Sequence, residues 1–170
     1  ILADITFDER WNMVLGLRDR FGDIGLTPIT NPTYPMAQGD LLVALANSSG
    51  GWNAPIAAGT EHFVDNSPFE QMPEEAAGAV AYIPGEHNGQ AGGEIITSIQ
   101  DPYGANAGGM AWYSMGGGAR QSSEELYSNF TAAHRFAKAS GLGDVELLCD
   151  WRAIGDRIWR DSNSNGMQDS

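Results

Sequence analysis

The sequence contains few of the residues that would point to a disulfide framework or a nucleic-acid-binding surface. Cys149 is the only cysteine, so the 170-residue chain forms no internal disulfide bond. Lysine and arginine together number 9 against 22 acidic residues, which gives a formal net charge of −13. Such a field repels phosphate backbones and anionic membrane surfaces, so we expect no nucleic acid partner. The same acidic excess suits cation binding, halotolerance or solubility.

Long apolar runs are also missing. No segment approaches the roughly 20 apolar residues of a membrane-spanning helix, and none has the basic and apolar regions of a signal peptide. We therefore predict no membrane insertion. The first residues, Ile1–Phe7, enter a β-like run without a turn signal, so we expect the chain to be either a mature cleavage product or an internal segment of a longer protein.

The sequence has no G-x-S-x-G elbow, no P-loop and no dinucleotide-binding glycine pattern, and we interpret 116–118 as a flexible break. The acid–histidine pairs Glu61–His62 and Glu86–His87 lack a second histidine at ligand spacing, so we interpret them as solvated loop residues. His134 we interpret as a residue without a catalytic role. The sequence therefore favours a protein that is not an enzyme.

What the chain has is a series of short segments rich in β-forming residues and bounded by turns. Residues 4–8 with 13–17, and 77–84 with 94–100, form two predicted hairpins. Further strands are predicted at 40–46, 109–115 and 145–149. Residues 123–130 fit either a strand or a short helical turn, and the spacing of their apolar residues slightly favours the helix.

Two long segments, 25–39 and 50–73, have loop composition, and loops of the second one's length are often functional, so 50–73 is a candidate binding edge. Many short strands, 22 glycines and almost no helix signal predict an all-β fold of propeller-like blades or an antiparallel meander with long loops. We assign 1–150 to this region, as the C-terminal blades of a larger domain. Residues 151–170 are assigned to a linker and the first strand of a β-sandwich domain.

The C-terminal tail has the spacing of a calcium-binding loop, and its candidate ligands are Asp161, Asn163, Asn165, Met167 and Asp169. The first three place side-chain oxygens at loop positions 1, 3 and 5, ahead of a glycine where the chain turns sharply. The methionine offers its carbonyl at position 7. The bidentate glutamate expected at position 12 would fall beyond Ser170, so the shell is incomplete within this sequence. The alternative is an Asn/Ser/Gly turn without a metal.

Residues 154–169 closely resemble the opening of the B-type domains of serine-aspartate repeat adhesins, which are calcium-binding, immunoglobulin-like sandwiches. The Ile-Gly-Asp entry at 154–156, Trp159 and the Asp/Asn/Asn-Gly spacing occur together. The resemblance implies that the acidic and amide residues of the tail are metal ligands. It also implies that calcium stiffens the junction between two domains.

The preceding part resembles the final region of large bacterial surface proteins in which propeller-like repeats come before such sandwich domains. The stretches that carry this resemblance are 4–8, 16–23, 109–112 and 141–150. It implies an exported, multidomain protein at the cell surface.

Acidic and aromatic residues admit two interpretations each. Four acids lie around the first hairpin: Asp4, Asp8, Asp19 and Asp23. We interpret them as partners of nearby arginines in salt bridges. The alternative is a calcium centre like that of lactonase-like propellers. We interpret most of the aromatic residues as part of the core, and the alternative is an exposed platform that binds carbohydrate. The residues concerned are Trp52, Phe63, Phe69, Tyr103, Trp112 and Tyr113.

The sequence therefore predicts an extracellular structural or adhesive module of a large bacterial surface protein, with calcium at an inter-domain junction. The alternatives are a calcium-dependent propeller hydrolase and a carbohydrate-binding module. Expected partners are the rest of the same protein or other copies of it in an assembly or filament, with a glycan as a further candidate. A buried cluster of three or more carboxylate or amide ligands facing a pocket would be required by the hydrolase and not by the module.

Overall fold

Eight strands make up the regular structure of the computed structural model. It describes residues 1–18, 39–53, 61–66, 74–85, 92–103, 107–128 and 142–148. Within these ranges there is no helix, and the strands form two four-stranded antiparallel sheets. The prediction of an all-β fold built from antiparallel meanders is therefore confirmed.

The first sheet contains β1 (Leu2–Phe7), β2 (Met13–Leu17), β3 (Asp40–Ala46) and β4 (Trp52–Asn53), in sequence order. More buried and less buried side chains alternate along β2 and the first part of β3, as period-2 side-chain geometry requires. The β1–β2 turn is closed by Asp8, whose Oδ1 accepts hydrogen bonds of 2.8 Å from the amides of Arg10 and Asn12. The first predicted hairpin and the strand at 40–46 are both present.

The second sheet contains β5 (Ala76–Ile83), β6 (Glu94–Gln100), β7 (Ala107–Ser114) and β8 (Arg120–Ser128), again in sequence order. Residues 123–130, whose sequence fits either a strand or a helical turn, form a strand as far as residue 128. Without β8, strand β7 would be an edge with unpaired backbone groups, and pairing along its length outweighs a weak local periodicity. Leu126, one of the apolar residues that suggested the helix, is exposed.

The hydrophobic core lies between the two sheets and draws on both. Val14, Leu41 and Val43 come from the first sheet, and Ile95 and Tyr113 are among the residues from the second. One further core residue, Phe63, belongs to the segment between the sheets. Burial of these side chains joins the two meanders into one structure, since each sheet alone would leave an apolar face in water.

Strand β5 lies against β1, β2 and β3, and this close approach depends on glycine. A Cβ on Gly16 would lie 2.0 Å from the carbonyl oxygen of Gly78, so neither strand could approach as it does with a larger residue there. The amide of Val80 donates a 2.8 Å hydrogen bond to Asp4 Oδ2 across the same contact. The sheets are therefore joined by a polar contact as well as by the apolar core.

The strand predicted at 145–149 is not formed over the residues that the structure describes, 142–148. Leu147 and Leu148 are exposed there, so the apolar run that suggested a buried strand has no core to enter. The sandwich strand and the domain boundary at 150–151 lie outside the described residues. Among those described, no helix is long and apolar enough to cross a membrane.

Candidate metal site

Four carboxylates converge where the first sheet meets the second. They belong to Asp40, Glu61, Asp65 and Glu74, and one oxygen of each lies within 4.8 Å of the corresponding oxygen of every other. Asp40 opens β3, Glu61 and Asp65 belong to the segment 61–66, and Glu74 comes two residues before β5. The cluster, which we call the acid cluster, thus contains side chains from both sheets and from the segment connecting them.

Backbone contacts explain why these residues meet. A Cβ on Gly39 would lie 2.0 Å from the carbonyl oxygen of Ala76, so a glycine is needed for the start of β3 to pass close to β5. On the other side, the Asp65 carbonyl accepts a 3.1 Å hydrogen bond from the amide of Glu75. The two contacts bring the chain at residues 39–40 and at 65 to the residues that begin β5.

Segment 61–66 is itself held against the second sheet. Phe63 is fully buried and packs edge-on against Tyr113, with ring centroids 6.1 Å apart. The amide of Val64 donates a 2.9 Å hydrogen bond to the carbonyl of Gly118. Asp65 therefore occupies a position determined by core packing, and its carboxylate is buried as a consequence.

The acid cluster holds buried oxygens without hydrogen-bond partners. Asp65 has 0% exposure and neither of its oxygens is hydrogen-bonded; Asp40 Oδ1 and Glu74 Oε2 are in the same condition. Glu61 is exposed and forms the solvent side of the group. Buried polar atoms are normally paired, so four unpaired carboxylate oxygens in one place call for a ligand or a proton.

Protonation equilibria reflect the same crowding. Burial, followed by interactions with the neighbouring carboxylates of Glu74 and Glu61, raises the pKa of Asp65 to about 9. Burial, then repulsion from Glu61, also raises the pKa of Asp40. The pKa of Glu74 is raised mainly by burial, and when Asp65 is protonated its hydroxyl can donate to Glu74. Among the described residues, the neighbouring side chains that shift the pKa of these three groups are all carboxylates.

The next residue along the chain, Glu75, belongs to a different, ion-paired network, although its Oε2 has no hydrogen-bond partner. Its Oε1 accepts a 3.0 Å hydrogen bond from the Tyr113 hydroxyl and an ion-paired one from Arg120. Burial nevertheless raises the pKa of Glu75 to about 7, with the arginine opposing that shift. This network holds the interior of the second sheet and supplies a positive charge that the acid cluster lacks.

A pocket of about 230 Å³ opens beside the β1–β2 turn and is lined in part by Asp8, Arg10, His62 and Tyr82. None of the four acids lines it. Within the described residues, Asp65 is buried, Asp40 and Glu74 are half-buried and Glu61 is exposed, so the acid cluster matches only in part the buried, pocket-facing cluster that the hydrolase requires.

The aromatic residues divide between the core and the surface. Phe63 and Tyr113 are buried, as the core interpretation predicts, whereas Trp52 and Tyr103 are exposed. Trp52 pairs with Phe7 at a centroid distance of 5.9 Å, but their planes are inclined by 48°. Such a tilt does not make the flat, coplanar platform that the carbohydrate alternative requires. Phe69 lies outside the described residues.

The other residues singled out in the sequence have mixed outcomes. All of the tail ligands, Asp161, Asn163, Asn165, Met167 and Asp169, lie outside the described residues, as do Asp19, Asp23, His87, His134 and Cys149. Asp4 and Asp8 accept hydrogen bonds from backbone amides. Glu61, interpreted as a solvated loop residue, is exposed but belongs to the acid cluster.

The sequence did not predict Asp40, Asp65 and Glu74 as candidate ligands. No periodic spacing connects them, because they come from a strand, a loop and the entry to another strand. The sequence offers only a weaker indication of this site. Acids lie at a predicted strand start and within the loop 50–73, which is predicted to be a binding edge.

Three proteins of Dictyostelium discoideum are similar to the chain over almost all of its length. It is 29% identical to colossin-B and 30% identical to colossin-A over 99% of its residues, and 24% identical to colossin-C over all of them. No family model and no solved structure matches the chain. The chain spans 5%, 2% and 19% of the length of these relatives, respectively, and so corresponds to a small part of each.

Proposed function

We propose that the chain is a structural module of a large, extracellular, multidomain protein. The observation that supports this most is that nearly the whole chain aligns with a small fraction of three longer proteins. A stretch that recurs as a unit within longer chains behaves as a module. The relatives come from a eukaryote, so they support modularity and leave the bacterial adhesin resemblance as a prediction from residues 154–169.

The outer strand of the first sheet supports a role in assembly. Leu2, Ile5 and Phe7 of β1 are exposed, and β1 forms the edge of its sheet. An apolar edge strand exposes unpaired backbone groups and is normally covered by a neighbour. The neighbour we propose is the preceding part of the same multidomain protein, with other copies of the chain as the alternative.

Calcium has a place in this proposal at the tail. The loop spacing of residues 161–169 would let an ion stiffen the junction with the following domain, as the adhesin resemblance implies. The excess of 22 acidic over 9 basic residues is consistent with a protein that works in a calcium-containing medium. A carbohydrate ligand receives less support, because the exposed Trp52 and Phe7 rings are not coplanar.

Size-exclusion chromatography with light scattering tests the module directly. The 170-residue chain on its own is expected to associate through its β1 edge. The same chain carrying Ile5→Lys and Phe7→Glu is expected to elute as a folded monomer, because charges on an edge strand prevent pairing. A folded, monodisperse monomer of the unmodified chain at high concentration would contradict the proposed role in assembly.

A calcium-dependent hydrolase is a second candidate, favoured by the buried carboxylates of the acid cluster. It predicts turnover of lactones or phosphate esters in the presence of calcium, with loss of turnover in Asp65→Asn. The structural module predicts no turnover above buffer for either protein. Assay of both proteins against a panel of these substrates separates the two functions.

A further inference from the structure

We propose that Asp40, Glu61, Asp65 and Glu74 form a calcium site that joins the two sheets and is separate from the loop in the tail. The proposal goes beyond the structural role above and does not depend on it. It starts from the acid cluster, in which one oxygen from each of four carboxylates lies within 4.8 Å of the others. Asp65 supplies the second, independent observation: it is completely buried and both of its oxygens lack a hydrogen-bond partner.

The acid cluster has no cation of its own within the described residues. Fully ionised, its four carboxylates carry a formal charge of −4. Arg120, an arginine of the second sheet, is paired with Glu75 rather than with a member of the acid cluster. Buried carboxylates are stable only when they are paired, protonated or bound to a metal ion.

A shared proton would satisfy this arrangement only in part. One proton between Asp65 and Glu74 pairs one oxygen of each and leaves a formal charge of −3. It leaves the second oxygen of Asp65 and Asp40 Oδ1 without partners. A divalent cation contacts one oxygen of all four side chains at once and halves the charge, so it accounts for more of the observed geometry.

The donor set favours calcium. All four ligands are carboxylate oxygens, with no nitrogen or sulfur, which suits a hard cation. Mg²⁺ usually keeps several of its waters and is held by only one or two carboxylates, whereas Ca²⁺ accepts more oxygen ligands in a flexible geometry. Four converging carboxylates therefore suit calcium better than magnesium, and exposed Glu61 leaves room for water ligands.

An ion bound at this position would connect the two sheets. Asp40 belongs to the first sheet, Glu74 leads into the second, and Asp65 is fixed to the second through the amide of Glu75. An ion bound by all three crosslinks the sheets next to the close contact of Gly39 with Ala76. Removing it leaves mutual repulsion at that contact, so calcium is expected to stabilise the packing of the sheets.

The test measures calcium binding by isothermal titration calorimetry and thermal unfolding in the full 170-residue chain. The tail loop is first silenced with Asp161→Ala and Asp169→Ala, so that binding elsewhere is measured alone. We expect one calcium site with a Kd on the order of 10⁻⁴–10⁻³ M, typical of extracellular modules. At a calcium concentration about a hundredfold above Kd, Tm is expected to rise by about 5–10 °C. Magnesium at the same concentration is expected to raise Tm less.

Asp65→Asn in the same background distinguishes a metal ligand from a structural core residue. It is expected to abolish the calcium-dependent rise in Tm, while raising the calcium-free Tm because a neutral amide replaces a buried carboxyl group that is costly to ionise. Glu61→Gln, at the exposed side of the site, is expected to weaken calcium binding about tenfold without changing the calcium-free Tm. Glu124→Gln removes the same charge from an exposed position on β8 and serves as the control, with binding unchanged.

Two results would overturn the calcium site. The first is loss of all calcium binding once the tail is silenced. The second is a calcium response in Asp65→Asn equal to that of its parent. Either result leaves the chromatographic test of the structural module unaffected, so the two proposals fail independently.

Discussion

Glu74 and Glu75 are consecutive residues whose carboxylates lie in opposite environments. Glu75 Oε1 accepts hydrogen bonds from Tyr113 and Arg120 in the interior of the second sheet, whereas Glu74 faces the other carboxylates of the acid cluster. The Oε2 atom of each glutamate has no hydrogen-bond partner. Adjacent side chains at the start of a strand point to opposite sides. Glu75 is thus paired with a cation inside the second sheet, and Glu74 lies among other acids.

Arg120→Leu tests the buried ion pair between Arg120 and Glu75. The substitution leaves Glu75 buried with only the tyrosine hydroxyl, and breaking a buried ion pair from one side costs about 3–5 kcal/mol. We expect the free energy of unfolding to fall by about 3 kcal/mol in urea denaturation. The double variant Arg120→Leu with Glu75→Gln should recover part of the loss, because no charge then stays buried alone. A single variant as stable as wild type would show that the ion pair contributes nothing.

Gly16→Ala tests the close contact of the sheets. The added methyl group would lie 2.0 Å from the Gly78 carbonyl oxygen, so β2 and β5 must move apart. We expect a loss of about 1–3 kcal/mol in the free energy of unfolding, as for other overpacked interiors. Gly51→Ala is the matched control, since its nearest atom would be the Asn47 side chain at 3.6 Å. Equal stability of the two variants would disprove the requirement for glycine at residue 16.

Calcium-free protein should lose stability as pH rises. Asp65 has a folded pKa of about 9 against an ordinary value of 3.8, so between these values the folded state holds a proton that the unfolded state has released. Stability therefore declines with increasing pH across this window. Glu75, raised from 4.5 to about 7, contributes the same sign at lower pH.

Thermal unfolding between pH 5 and 9, with and without calcium, measures this dependence. Without calcium we expect Tm to fall steadily over the range. Saturating calcium should remove the part of the fall above pH 7, because the ion takes the place of the proton on Asp65; Asp65→Asn should remove it without calcium. A calcium-free Tm that increases between pH 7 and 9 would contradict an acid with a raised pKa at this position.

Local sequence pattern was sufficient for most of the strands. Short runs of β-forming residues at 13–17 and 94–100 match β2 and β6. Local pattern left β8 open between a strand and a helical turn, because its existence depends on the backbone groups of β7. It failed for 145–148, whose leucines are exposed. In both cases strand formation depends on a partner that local pattern does not specify.

The acid cluster could not be predicted from spacing. Asp40 and Asp65 are brought together by packing of Phe63 and by the contact of Gly39 with Ala76, which are properties of the folded chain. The loop motif in the tail was visible because all of its ligands are close together in sequence. Sequence motifs thus favour local metal sites, and sites assembled from several elements become visible only in the structure.

Crystals of the 170-residue chain grown with calcium chloride would show whether the acid cluster binds calcium. We expect a calcium peak in the anomalous difference map, with oxygens of Asp40, Glu61, Asp65 and Glu74 about 2.3–2.6 Å from it. Crystals grown with chelator should lack the peak and show the same carboxylates farther apart. A calcium-soaked crystal with no peak at the acid cluster, in which the hydroxyl of a protonated Asp65 donates to Glu74, would contradict the proposed calcium site.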